Sequence, residues 1–296
     1  MHIQANHIQI EVESDGPDYA PPVLLLMGLG MQLTAWPQAL LDELRLQGFR
    51  SIRMDNRDIG RSEHFDHMGK PSLVLETLKM KLGLHPRLAY HLRDMANDAF
   101  GVLDALGITR AHVVGVSMGG MIAQRMALMA PDRLLSLTSI MSSSSDKHLP
   151  PCHPDVLRLM MSYPKHGSRD AVIDHQTALF ARIGSPAFPL PLPTLREQVA
   201  QAHDRGYRRE GVMRQTMAVF ADADRAALLS QITTPTLVMH GRDDPLLPFA
   251  HGEDTARRIP GAQLVGIDGM GHDLTPGGVQ RLLPHLMPFL RAHTPQ

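Results

Sequence analysis

The sequence has a single cysteine, Cys152, so no intrachain disulfide can form and nothing requires an oxidising compartment. Lysine is scarce and arginine scattered, with no basic stripe along any segment, and 29 basic residues stand against 30 acidic ones. That balance excludes the electrostatic footprint of a nucleic-acid binder and gives no pull toward an anionic membrane surface. No apolar run approaches the roughly 18 residues that a membrane-spanning helix needs. The opening residues, MHIQANHIQIEVES, have neither a basic start nor an apolar core, so no secretory signal is expected. Internal repeats and long low-complexity tracts are missing too. These absences leave the expectation of a soluble, cytoplasmic protein, monomer or homodimer, with no nucleic-acid partner and no membrane span.

What is present is apolar mass arranged in alternation. With 296 residues, 43% of them hydrophobic, the chain can fill one large domain or a core carrying a smaller insertion. HIQIEVES alternates apolar and polar and predicts a half-exposed early strand. Val23–Met27 is continuously apolar, like a strand buried on both faces. Helical spacing follows from Trp36 to Leu46, then a short strand from Arg50 to Met54, then the turn-rich DNRDIGRS. Leu92, Met95, Ala99, Leu103 and Leu106 mark a helix closed by Gly107, and AHVVGV at 111–116 is a β-branched strand. A helix over MGGMIAQRMALMA and a strand over LLSLTSIM come next. Strands alternating with helices predict an α/β fold with a mostly parallel, doubly wound sheet.

The rhythm then lapses. From about 142 to 226 the chain turns Pro-rich and helical, before strands at 235–240 and 262–267 and a closing helix near 278–292 restore it. The expected organisation is a core of residues 1–141 and 227–296, interrupted by a helical cap at 142–226 that roofs a site.

Chemistry concentrates at strand ends. Gly115-Val116-Ser117-Met118-Gly119 is a G-x-S-x-G between a strand and a helix. Such a serine sits on a sharp turn with its hydroxyl above the sheet, at the positive end of the following helix. A serine needs a base, and the base needs a third group to hold its tautomer. Those partners should follow later strands. Asp243 and Asp244 follow the strand at 235–240, and His272 follows the strand at 262–267. His251, His285 and His293 fall on predicted helices or the tail and read as surface residues. The histidine-rich HFDH, with His64, Asp66 and His67, lies in a polar loop, and no metal is expected.

Gly28-Leu29-Gly30 after the second strand, with Asp55 ending the next, invites a dinucleotide reading. Leu33 stands where the third glycine belongs, and that reading leaves Ser117, Asp244 and His272 as coincidence.

Taken together, these segments resemble the α/β-hydrolase family along nearly the whole chain. The family's acid loop, H-G-x-x-D-x-x-x-P, is matched by His240, Gly241, Asp244 and Pro248, and so selects Asp244 over Asp243. DNRDIGRS resembles the family's D-x-R-G-x-G-x-S, with Asp58 where glycine is usual, and Asp55 and Arg57 read as structural. MGLGM, DNRDIGRS, HVVGVSMGG and GMGH resemble the aclacinomycin methylesterase group within the family. Met27 stands where many members carry histidine.

The resemblance implies a serine hydrolase with Ser117, His272 and Asp244 as triad. Backbone N–H groups of Leu29 and Met118 would form the oxyanion hole. Gly28, Gly30, Met31 and Met141 would line the substrate, with Leu159, Met160 and Phe180 as further candidates from the cap. No cofactor and no metal is implied. Serine in place of aspartate excludes relatives that attack with a carboxylate. Carboxylic esters of small to medium, mainly apolar substrates are the expected partners. Lactone, thioester, peptide, perhydrolase and carbon–carbon hydrolase chemistry stay open, as does a non-catalytic ligand-binding protein on this fold.

Overall fold

The structure is a computed structural model and describes residues 1–164 and 167–295. Its strands are β1 (His2–Ala5), β2 (Ile8–Asp15), β3 (Pro22–Leu26), β4 (Arg50–Met54), β5 (Ala111–Val116), β6 (Leu134–Ile140), β7 (Thr236–Gly241) and β8 (Gln263–Ile267). They form one sheet of eight in the order β1-β2-β4-β3-β5-β6-β7-β8. β1 and β2 are antiparallel, β2 runs antiparallel to β4, and every pair from β4 onward is parallel.

Helices α1 (Gln38–Leu46), α2 (Leu73–Lys81), α3 (Leu92–Ala105) and α4 (Met118–Met129) connect the strands as far as β6. Between β6 and β7 lie α5 (Pro154–Met161), α6 (Arg169–Ile183), α7 (Leu192–Gly206), α8 (Arg209–Phe220) and the short α9 (Arg225–Leu228). α10 (Ala250–Arg258) and α11 (Pro276–Ala292) complete the chain's elements.

The unbroken apolar run at β3 has its reason in two separate cores. Leu24 and Leu26 pack with Ile52, Val113 and the α3–α4 residues Met95, Ala99 and Ile122. Val23 and Leu25 point the other way, into a cluster with Val114, Leu40, Leu44, Leu282 and Leu286. A strand alternates its side chains between faces, so only a strand covered on both sides needs every residue apolar.

Two elements depart from the expectation. HIQIEVES is the second arm of a hairpin whose first arm, β1, has no strong strand signal. Its turn is Asn6-His7, with φ of 48° and 67°, the two positive values that this kind of tight hairpin turn requires. Histidine stands where glycine usually does. α2 lies in the stretch after DNRDIGRS and exposes Val74, Leu75 and Leu78, so no buried apolar stripe announces it.

One buried group ties stability to pH. His112 on β5 has none of its surface exposed and lies 2.7 Å from Ser136 Oγ and 3.0 Å from Thr294 Oγ1. Burial, with the nearby His293 and Arg110, pushes its pKa down to about 4. The folded state thus resists a proton that the unfolded chain takes up near pH 6.5. Stability from this group is complete above about pH 6.5 and is lost as pH falls toward 4, by about 3 kcal/mol in all. Urea midpoints of the native chain should therefore fall more steeply over this range than those of His112→Gln, and equal slopes would exclude the assignment.

Candidate active site

Ser117 occupies the corner where β5 meets α4, with φ of 54° and ψ of −119°. A non-glycine residue there is strained and needs its surroundings to hold it. The flanking glycines supply the space. A Cβ on Gly115 would sit within the carbonyl of Gly119, and one on Gly119 would strike the carbonyl of Leu26. The corner is then fastened by hydrogen bonds. Ser117 N donates to Ile140 O at 2.9 Å, and Ser117 O accepts from Gly120 N at 3.0 Å and from Ser142 Oγ at 2.7 Å.

The loop after β7 brings in Asp244, which is buried. Its Oδ1 accepts from Leu246 N and Leu247 N at 2.9 and 2.8 Å, and its Oδ2 lies 2.6 Å from His272 Nδ1. Burial pushes this carboxyl up, but the charges and hydrogen bonds of His272 and His240 outweigh it and hold the group well below the usual carboxylate range. An ionised carboxylate only accepts, so Nδ1 of His272 carries a proton and donates it. The opposite nitrogen, Nε2, then presents its lone pair toward Ser117 Oγ, 3.0 Å away. Serine, histidine and aspartate are thus joined in one chain of hydrogen bonds. Asp243 is exposed and accepts from Gly269 N at 2.8 Å instead.

The 28–30 loop lies directly beside the serine: a Cβ on Gly28 would come to 3.2 Å from Ser117 Cβ. Among the described residues the N–H groups of Leu29 and Met118 meet no acceptor, while Met31 N bonds Gly28 O and Gly30 N bonds Gln215 Oε1. Leu29 and Met31 are half-buried. Met141 differs from expectation. It is 1% exposed and packs in the core with Val116 and Met239, which makes it a packing residue rather than a pocket wall. Leu159 and Phe180 are half-buried, and Met160 is exposed.

His251 also departs from the surface assignment. It is buried on α10, with Nδ1 2.8 Å from Ser143 Oγ and Nε2 2.9 Å from Pro150 O. His285 is exposed and His293 half-buried. Among the described residues no group of three or more His, Cys, Asp or Glu side chains is disposed to hold a metal ion. His64, from the histidine-rich loop, reaches Gly60 O, and Asp66 pairs with Arg214.

Several contributors escaped sequence reasoning. The histidine loop finishes its hydrogen bonding on the last residue of α6 and the segment that follows it. His272 N donates to Ile183 O at 2.7 Å, Gly271 N to Ser185 Oγ at 3.0 Å, and Ala187 N to Gly269 O at 3.1 Å. Ser185 in turn binds the Asp273 carboxylate through both its N–H and its hydroxyl. Burial raises the pKa of Asp273 against those bonds. Ser142, Ser143 and Ser144 are all buried, and the run of four serines directly after a strand was the signal available for them.

The chain belongs to the alpha/beta hydrolase fold family, whose family model matches residues 21–276. It is 29% identical over 290 residues to the rhodomycin D methylesterase DauP of Streptomyces sp. (strain C5), covering 92% of this chain and 91% of that protein. It is 33% identical over 213 residues to RutD of Pseudomonas savastanoi pv. phaseolicola (strain 1448A / Race 6), named as a proposed carbamate hydrolase, covering 69% of this chain and 77% of that protein. Among solved structures, the enol-lactonase of Burkholderia xenovorans LB400 superposes with a TM-score of 0.77 at 22% identity, over 98% of this chain and all of that one. The chain is therefore similar to esterases and related hydrolases. No helix among the described residues is long and apolar enough to cross a membrane.

Asp58, standing where the family usually has glycine, has φ of 71°, a backbone shape that glycine adopts freely. Its carboxylate is fully buried and held by Arg214 of α8, Nε to Oδ2 at 2.8 Å and Nη2 to Oδ1 at 2.7 Å, and by Tyr90 Oη at 2.7 Å. Burial raises its pKa, but the Arg214, Phe65 N and Tyr90 hydrogen bonds lower it further, so the group is ionised. Asparagine tolerates the same backbone shape and has the same outline, yet would remove the buried counter-charge of Arg214 and leave it only the exposed carboxylate of Asp66. Asp58→Asn should lose about 3 kcal/mol of unfolding free energy in urea. A loss below about 0.5 kcal/mol, usual for surface changes, would show that the pair contributes nothing.

Proposed function

We propose that the protein is a serine hydrolase of carboxylic esters, acting on small to medium, mainly apolar substrates through an acyl-enzyme. The observation that carries this reading is His272 standing between Ser117 Oγ and Asp244 Oδ2, at 3.0 and 2.6 Å. His272 Nε2 takes the hydroxyl proton of Ser117 as Oγ attacks the ester carbonyl. Asp244 keeps the imidazole in the required tautomer and stabilises the imidazolium. The oxyanion forms beside the N–H groups of Leu29 and Met118, whose lack of acceptors among the described residues supports their role as donors. The imidazolium gives its proton to the departing alcohol. Water, deprotonated by the same nitrogen, then attacks the acyl carbonyl and frees the acid and Ser117.

Residues 142–226 act as a cap over this centre, which the position of α5–α8 between β6 and β7 supports. Leu29 and Met31 offer an apolar lining, consistent with uncharged acyl groups. The similarity to a methylesterase favours simple alkyl esters as substrates. Lactones and thioesters pass through the same intermediate and belong in the same assay.

The test is a series of p-nitrophenyl esters of increasing chain length, run beside amide, lactone and thioester substrates. Esters should turn over fastest, and a fluorophosphonate should label Ser117 stoichiometrically. Ser117→Ala should remove nearly all turnover. Asp244→Asn should lower kcat on the order of 10²-fold or more, since it disturbs the tautomer. Asp243→Asn should stay within about threefold, as a surface change does. The opposite ranking would transfer the acid's role to Asp243, and an unlabelled Ser117 would point to a ligand-binding protein.

A further inference from the structure

The inserted helices reach into the core at the oxyanion loop through one amide. Gln215 on α8 has none of its surface exposed. Its Oε1 accepts from Gly30 N at 2.9 Å, and its Nε2 donates to Arg57 O at 2.8 Å. A single carboxamide thus joins the loop after β3 to the loop after β4. Gly30 itself has φ of 67°, and a Cβ there would lie 3.0 Å from Val212 Cγ2 on the same helix. α8 therefore both presses on the loop and hydrogen-bonds it, one residue beyond Leu29. Immediately before Gln215, Arg214 forks onto Asp58, which fixes the rotation and depth of the helix in this seam.

A backbone donor serves an oxyanion only if its N–H direction is fixed before charge develops. Leu29 N–H belongs to the peptide unit next to the one that Gln215 holds. Fixing the Gly30 N–H sets the orientation of the Leu29–Gly30 peptide plane, and with it the range open to Leu29. We infer that Gln215 is a positioning residue for the oxyanion donor of Leu29, and that the inserted helices complete the catalytic centre rather than only covering it. This rests on the ester-hydrolase reading above.

The informative substitution is Gln215→Met, which keeps length and volume while removing both hydrogen bonds. Thermal unfolding shows that the variant is folded under assay conditions; if it is not, Gln215→Leu and Gln215→Glu take its place, the latter retaining an acceptor for Gly30 N–H. On p-nitrophenyl esters kcat should fall at least about tenfold, short of the 10²–10³ typical when an oxyanion donor is deleted. KM should stay within about threefold, because the loss lies in the transition state. Binding of a trifluoromethyl ketone, whose adduct with Ser117 carries the oxyanion, should weaken by the same factor as kcat/KM. Amide exchange in a peptide spanning residues 27–33 should accelerate, while that of 111–116 should not.

A merely structural glutamine would speed exchange and lower the unfolding midpoint but leave kcat and ketone affinity unchanged, and that result overturns the inference. An equal fall in kcat for every folded variant, with ketone affinity preserved, overturns it as well. If the native chain turns over no ester and Ser117 is not labelled, the ester reading itself falls and takes this role with it. An active native enzyme with an unaltered Gln215→Met defeats only the role of Gln215.

Discussion

Two loops at the carboxyl end of the sheet complete their hydrogen bonding on the helices inserted between β6 and β7, and the candidate site depends on that. The loop after β8, which carries His272, donates to Ile183 O and Ser185 Oγ. The loop after β3, which carries Leu29, donates through Gly30 to Gln215. A buried backbone N–H without a partner costs about as much as a lost hydrogen bond, so each loop takes its present shape only when the insertion is docked. The sheet supplies the positions at which Ser117, Asp244 and His272 emerge. The insertion supplies the partners that fix how two of the surrounding loops turn.

The seam that docks the insertion is ionic rather than greasy. Arg205 of α7 lies 2.6 Å from Asp55 Oδ2, and Arg214 of α8 forks onto Asp58. Both carboxylates have no exposed surface. Removing such charges from water is expensive, and the attraction between them often does little more than offset that cost. An apolar seam could hold the helices as tightly. What the forked, buried Arg214–Asp58 pair adds is geometry: the guanidinium plane accepts one approach, and α8 cannot slide or rotate without breaking both bonds. That constraint suits a helix whose next residue, Gln215, must meet a single N–H.

The parts legible in the sequence were those with local signals. β3 and β5 showed themselves by uninterrupted apolar and β-branched runs, and the corner at Ser117 by glycines whose spacing the turn enforces. Asp244 and His272 were legible because each stands just past a strand end, where a parallel sheet collects its loops. The seam was not legible. Gly30 and Gln215 are 185 residues apart, Arg57 and Gln215 158 apart, and no periodicity marks a glutamine that will bridge two loops. His251 read as surface because its helix, α10, is polar in sequence, yet it turns inward onto Ser143 and Pro150. Met141 read as a pocket wall by adjacency alone. Its φ of 39° swings it off the strand direction, and the side chain packs in the core. β1 and α2 were missed for lack of glycine in one turn and of a buried stripe on one helix.

Asp58 shows how such a seam enters a chain without a separate signal. Glycine at φ of 71° would be unstrained but would offer Arg214 nothing. Aspartate accepts the left-handed backbone better than most residues and contributes a carboxylate where the turn faces α8. Arg214 of α8 thus joins Tyr90 and Phe65 N in holding the strained residue, and the loop supplies the buried counter-charge of Arg214. Each half stabilises the other. Core loops and inserted helices should then fold as one cooperative unit, so that the insertion behaves as part of the framework that shapes the candidate site and not as a detachable roof.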